Sequence, residues 1–188
     1  FRSPTSFDCT NIGANSVTLI VTDNSGNVNS CSTTVTVQDN SAPTAICQPL
    51  TVSLDGSGNA DVTAAMVNNG SADNCAVNSL NITTTQYHAV GTYTDTLIVA
   101  DAAGNVDSCF ALITVVDNNP PTAICNDTTI YLNASGSAAI TAADLDGGSS
   151  DNGFITSRAT SQLAFACSDR GANTDTLFVT DDRGNTSF

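Results

Sequence analysis

Lysine and tryptophan are absent from this 188-residue chain, histidine and methionine occur once each, and aromatic residues make up only 5%. Each gap removes a function. Without lysine no Lys–Asn isopeptide cross-link can form, so any covalent brace has to come from cysteine. With no tryptophan and three tyrosines (Tyr87, Tyr93 and Tyr131), there is no stacking platform for sugars. His88 stands alone, which excludes a multi-histidine metal site; no Ser-His-Asp triad is evident around it, and it is expected on a surface loop. No Cys-x-x-Cys pair occurs, which argues against a zinc or redox centre. No glycine-rich segment opens a helix to cradle phosphate, no long amphipathic pattern occurs, and no apolar run is long enough to span a bilayer. Enzyme activity is not expected.

The charge that is present has one sign. Eighteen acidic residues face four arginines, a formal net charge of −14. That field repels nucleic acid and anionic membrane, so neither is an expected partner and no membrane insertion is expected. It favours a divalent cation wherever carboxylates converge. Apolar residues, at 40%, suffice for packed cores. Seven cysteines in a chain rich in Asn, Thr and Ser point to an oxidising compartment, extracellular or at the cell surface.

One phrase occurs twice. VQDNSAPTAIC (37–47) returns as VVDNNPPTAIC (115–125), which sets Pro43 on Pro121 and Cys47 on Cys125 with a shift of 78. The same shift carries LIVTDNSGNVNSC (19–31) onto LIVADAAGNVDSC (97–109), and SADNC (71–75) onto SSDNG (149–153). TLFVTDDRGN (176–185) is a third copy, 80 residues beyond the second. A period near 80 is too long for most solenoids and fits a tandem array of small domains. Within one unit, LTVSL (50–54), TLIVA (96–100) and ALITVV (111–116) are short, β-branched and bounded by turn residues. DGSGN (55–59) and DAAGN (101–105) open on Asp and close through Gly, as turns do. TAAMV and TAADL fit single helical turns capped by Thr63 and Thr141.

Each unit therefore reads as an immunoglobulin-like β-sandwich, and the fold class as all-β with such sandwiches end to end. The expected domains are the C-terminal half of one (1–39), a complete one (43–117) and one lacking its last strand (121–188). The chain is expected to be a segment of a longer polypeptide. PPTAIC at the opening of a unit, DN after the helical turn, and VGTYTDTLIVADAAGNVDSCFALITVV at its close resemble the hyalin repeat (HYR) family. The resemblance covers 43–117 and again 121–185, and implies an extracellular immunoglobulin-like module associated with adhesion. Runs of such Asn/Thr-rich, lysine-free units also resemble the giant surface adhesins of gliding Bacteroidetes. The chain departs from the family pattern in lacking an aromatic at the strand centre and in carrying extra cysteines.

Strand direction places the cysteines. Cys47 and Cys109 start two roughly parallel strands at the same end of a domain, so they are expected to bond, as the HYR resemblance also implies. Cys31 and Cys125 would then find partners outside these 188 residues. Cys9 and Cys167 occupy equivalent positions, where the second repeat has Tyr87; Cys75 lies where the third has Gly153. Pairing Cys9 with Cys75 across a junction accounts for both changes at once, with Tyr87 and Gly153 facing each other at the next junction. The alternatives are a free Cys75 or one paired within its own domain.

The same argument gathers oxygens at each junction. The first set is Asp39, Asn40, Asp73, Asn74 and Asp101; the second is Asp117, Asn118, Asp151, Asn152 and Asp181, with Asp144 or Asp146 in reserve. Three segments converge with hard oxygen donors, as calcium requires, and the linker resembles the calcium-binding DNxP phrase of cadherin junctions. The bland alternative is that Asp and Asn merely hold turns. Asn-x-Ser/Thr triplets (Asn69, Asn81, Asn126, Asn133, Asn185) mark glycosylation acceptors in a suitable host, and DTL at Asp95 and Asp175 resembles a short O-glycosylation motif of Bacteroidetes. The expected function is structural: a repeat segment of a filamentous extracellular adhesin, stiffened by disulfide, calcium and proline-bearing linkers. Its partners would be neighbouring repeats of one long chain, lateral copies of it, and a receptor or surface. The rivals are a module binding glycan or protein receptor, and an accessory domain of a large secreted enzyme.

Overall fold

The computed structural model describes residues 2–188, and the chain is mostly β. In order, the strands are β1 (Arg2–Ser3), β2 (Gly13–Thr22), β3 (Val28–Val37), β4 (Leu50–Ser53), β5 (Ala60–Asp61), β6 (Val77–Ile82) and β7 (Gln86–Tyr87). There follow β8 (Gly91–Asp101), β9 (Val106–Val116), β10 (Ser137–Ala139), β11 (Ile155–Thr160), β12 (Ala164–Ala166), β13 (Leu177–Asp181) and β14 (Thr186–Ser187). Single helical turns α1 (Ala64–Val67) and α2 (Ala142–Leu145) sit at the two expected places. No helix among the described residues is long and apolar enough to cross a membrane.

By contacts the chain forms two compact units: residues 1–48, 63–83 and 95–111, and residues 49–62, 84–94 and 112–188. In the first, β2 and β3 make a ten-residue antiparallel hairpin from Gly13↔Val37 to Thr22↔Val28, with β1 on the other edge of β2. β6 pairs with β8 from Val77↔Asp101 to Ile82↔Leu97. Val67, Leu97, Val99 and Ala111 are buried there. In the second unit, β4 runs parallel to β9 from Leu50↔Ile113 to Ser53↔Val116, β5 pairs with β7, and β10 with β12. A further sheet has the order β11-β13-β14. Val62, Ile113, Val115, Leu177 and Val179 are buried in this unit.

The period of the sequence is visible in the pairing. Isolated bridges Thr44↔Ala72 and Cys47↔Asn68 recur as Thr122↔Ser150 and Cys125↔Asp146. Burial alternates along β8 and β13 because successive side chains point to opposite faces. Asp95, buried within β8, and Asp175, half-buried just ahead of β13, are each satisfied internally. Asp95 accepts from the Thr83 hydroxyl; Asp175 accepts from the hydroxyls of Thr160 and Ser161 and from the Gln162 N–H. These are the aspartates of the two DTL triplets, and their carboxylates are committed to holding neighbouring strands. Burial pushes the Asp175 carboxyl up, but the Ser161 and Thr160 hydroxyls and the Thr176 and Gln162 N–H groups outweigh it, leaving a pKa of about 2.

The helical turns form with Thr63 and Thr141 at their N-cap positions. The Thr63 side chain makes no capping bond. At the second turn the Asp144 carboxylate accepts from the Thr141 N–H (2.7 Å) and hydroxyl (2.8 Å). This is the carboxylate half of a capping box with Thr141.

Two outcomes follow from these contacts. Cys47 and Cys109 are bonded across a sequence separation of 62; replacing both by alanine should lower the unfolding free energy in urea by about 4 kcal/mol on the chain-entropy estimate. The lowered pKa of Asp175 contributes stability that is full above the ordinary aspartate range and is lost as pH falls toward about 2. Asp175→Asn should therefore be less stable than the parent at neutral pH, and the gap should close as the pH of the urea titration is lowered through that window.

Candidate metal centres at the repeat junctions

Each junction is built on a five-residue turn. In Asp101–Asn105 the aspartate N–H donates to the Asn105 carbonyl (3.1 Å), and the Asn105 N–H donates back to the Asp101 carboxylate (2.8 Å). Asp181–Asn185 repeats this, with 3.0 and 2.8 Å. Gly104 and Gly184 close the turns at φ of +93° and +89°, where a Cβ would be strained. The asparagine amide then does two things. Asn105 Nδ2 donates to Asp101 (2.7 Å) and to the linker carbonyls of Asp39 (3.1 Å) and Ser41 (3.2 Å). Asn185 Nδ2 donates to Asp181 (2.7 Å) and to the Asp117 carbonyl (3.4 Å). The turn thereby grips the linker and fixes its own aspartate beside it.

The loop after the helical turn supplies the third segment. Asp73 accepts from the N–H groups of Cys75 (2.9 Å) and Ala76 (3.1 Å), and Asn74 donates to the Asp39 carboxylate (3.4 Å). In the second copy Asp151 accepts from the Gly153 N–H (2.8 Å), and Asn152 donates to the Asp117 carboxylate (3.2 Å). Carboxylate oxygens of Asp39, Asp73 and Asp101 lie within 4.8 Å of one another, and so do those of Asp117, Asp151 and Asp181. Each cluster lies wholly inside one compact unit.

Three like charges in so small a space need an explanation. Two carboxylates at this separation repel by about 1 kcal/mol in water and by about 3 kcal/mol at an effective dielectric of ~20. Asp101, Asp117 and Asp181 are 3%, 7% and 2% exposed, so the weaker figure does not apply to them. Among the described residues the ion pairs are Arg158–Asp146 and Arg183–Asp182, and neither reaches a cluster carboxylate. Burial pushes Asp101 and Asp181 up, yet the asparagine amide and turn N–H groups outweigh it and hold both below the ordinary range, hence charged. Asp73 Oδ1, Asp151 Oδ1 and Asn152 Oδ1 are buried with no hydrogen-bond donor. Converging charged oxygens, some of them without donors, fit a hard divalent cation taking six or more oxygen ligands. Calcium at such a site would supply charge neutralisation, with the aspartates and the Asn74 and Asn152 loops holding it.

Not every expected residue takes part. Asn40 and Asn118 are exposed, and neither side chain has a described hydrogen-bond partner. Asp144 is used in the helical turn, and Asp146 accepts from Ser149 and Gly148 and pairs with Arg158 at 2.6 Å. The Ser149 bonds lead in pulling the Asp146 pKa down to about 2. Three residues were missed: Asn105 and Asn185, recurrent in the turn but read only as turn residues, and Asp182. A Cβ at Gly153 would lie 3.3 Å from Asp151, 3.4 Å from Asp182 and 3.6 Å from Asp117, so the Asp182 carboxylate, paired with Arg183 at 3.4 Å, stands beside the second centre. Tyr87 is buried and packs 4.8 Å from Tyr93. At the first centre the equivalent position is Cys75, which is bonded to Cys9. Cys31, Cys125 and Cys167 are free and exposed.

No protein-family model and no curated protein sequence matches the chain. Among solved structures it is similar to one described as a Ca2+-stabilized adhesin that helps an Antarctic bacterium reach out and bind ice, at 17% identity and a TM-score of 0.34. The match covers 93% of this chain and 54% of the other, so the chain spans about half the length of that structure.

Asn105→Ala leaves the linker carbonyls and one oxygen of a buried aspartate without their donor. It should cost about 2 kcal/mol in urea unfolding, the scale for an unsatisfied buried group, and Asn185→Ala should act alike at the second turn.

Proposed function

We propose that this chain is a structural segment of an extracellular filamentous adhesin, made of tandem immunoglobulin-like sandwiches of the hyalin-repeat type. Its junctions are held by calcium and, at the first, by the Cys9–Cys75 disulfide. The observation that carries this reading is the recurrence of one three-carboxylate cluster, its linker and loop members at a spacing of 78 residues and its turn member at 80. A turn-capping aspartate needs no such company. Clusters that join a linker to the repeat after it would limit bending at that linker, and the prolines at 43, 120 and 121 limit it further. The excess of negative charge adds mutual repulsion between repeats, which calcium relieves only at the junctions.

Calorimetric titration with calcium should give two ions per chain. Asp101→Asn should remove one and Asp181→Asn the other, while Asp182→Ala should weaken the second alone, since calcium affinity rises with ligand charge. X-ray scattering should show a longer, narrower distribution of dimensions with calcium than with chelator. The variant with Cys9→Ser and Cys75→Ser should shorten it further in chelator. Absence of binding at millimolar calcium would end the cation reading; dimensions indifferent to both calcium and the disulfide would end the stiff segment.

A further inference from the structure

The Cys9–Cys75 disulfide and the first carboxylate cluster share one short loop. The Cys75 N–H donates to Asp73 Oδ2 at 2.9 Å, and the Ala76 N–H donates to the same oxygen at 3.1 Å. Asn74 Nδ2 touches both features at once, 3.4 Å from Asp39 Oδ1 and 3.4 Å from Cys75 Sγ. The partner sulfur comes from a 3-10 turn, Cys9–Asn11, just ahead of β2. That turn is itself held: Asp8 Oδ1 accepts from the Thr10 N–H (2.9 Å), and Asn11 Oδ1 accepts from the Asp8 N–H (3.0 Å). All of these residues lie inside one compact unit. The disulfide therefore anchors the backbone whose N–H groups hold Asp73 beside Asp39 and Asp101. At the second centre Gly153 takes the place of Cys75, and its N–H holds Asp151 with no covalent anchor.

We propose that the first centre is a redox-linked cation site, in which the Cys9–Cys75 disulfide and a bound calcium ion each strengthen the other; this rests on the cation reading above. Three carboxylates gathered without an ion repel, and a loop free to move relieves the repulsion by withdrawing Asp73. The disulfide denies the loop that escape. The oxidised chain thus holds its carboxylates ready, and the ion meets little cost in gathering them. Once the bond is reduced, the ion itself has to draw the loop in, and its affinity falls. Linkage is reciprocal, so the ion opposes reduction of the disulfide by the same factor. The second centre has no sulfur in its loop and carries no such coupling.

The reductant in the test is dithiothreitol. Its thiolate attacks one sulfur of the pair, the S–S bond breaks, and its second thiol resolves the mixed disulfide. Two electrons and two protons pass to Cys9 and Cys75, and the reagent leaves as its cyclic disulfide. Calcium alone is the ligand, on the full chain. Cys9→Ser removes the bond and leaves position 75 unchanged; by calorimetry it should weaken one calcium site about tenfold and leave the other as it was. In dithiothreitol redox buffers at equilibrium, with the bonds read by alkylation and peptide mapping, saturating calcium should lower the Cys9–Cys75 midpoint. The shift should be about 30 mV, the tenfold factor for two electrons. Asp101→Asn should abolish it, and Asp181→Asn should keep it. Two ions bound equally by the parent and Cys9→Ser, or a midpoint that calcium does not move, would overturn the linkage and leave the cation reading standing. A shift lost with Asp181→Asn would likewise overturn it, and no calcium bound at all would overturn both.

Discussion

The repeating unit depends on one short-range bond pattern: an aspartate carboxylate accepting backbone N–H groups two and four residues ahead. It closes the turns at Asp23, Asp55 and Asp181, and at Asp101 the four-ahead bond is present as well. All eighteen acidic residues are aspartates. The shorter side chain explains this choice, because its carboxylate reaches its own turn while glutamate overshoots it. The bond also fixes the charge state. A carboxylate accepting several N–H donors stays ionised even when buried, which is why Asp101 and Asp181 keep lowered pKa values inside the fold.

That same device creates the electrostatic problem at the junctions. A turn that holds its own aspartate charged, placed beside a linker carboxylate and a loop carboxylate, does not relieve their repulsion by taking a proton onto the turn aspartate. Neutralisation has to come from elsewhere, and the chain has only four basic residues to offer. The clusters are thus spaced by local hydrogen bonds and balanced by nothing covalent. This combination separates them from the isolated turns at Asp23 and Asp55, where one carboxylate faces solvent and no second one approaches.

The strands, turns and period were legible because they are written in local chemistry: β-branched runs, Asp-x-x-Gly-Asn, and a phrase repeated at 78. The three aspartates of each cluster were legible too, since strand direction alone decides which turns share an end. Harder to see were roles set by side-chain reach. Asn105 and Asn185 look like turn residues, yet their amides extend to the linker carbonyls. Asn40 and Asn118 look like ligands in the DN pair, yet an extended linker turns adjacent side chains opposite ways, so Asp39 and Asp117 face in while their neighbours face solvent. Thr63 and Thr141 stand at the N-caps, but only the second has a capping partner, the Asp144 carboxylate three residues on.

The two junctions therefore differ in a way that follows from a single position. A side chain at Cys75 fills the space that Gly153 leaves open, and it is tied to Cys9. Where the glycine stands, Asp182 comes within van der Waals reach of the absent Cβ, and the counterpart of Asp182 in the first centre is Ala102. A disulfide holds its junction whatever cations the solution contains, while the Asp182 carboxylate comes with its own countercharge, Arg183 at 3.4 Å. The first junction thus carries a covalent link beside its three carboxylates, and the second an ion pair beside its three. A cysteine in place of Gly153 would crowd the carboxylates of Asp151 and Asp182, and an aspartate at position 102 would bring a fourth charge to the junction that already has its brace. The disulfide and the Asp182 carboxylate thus compete for the same few ångströms beside the loop.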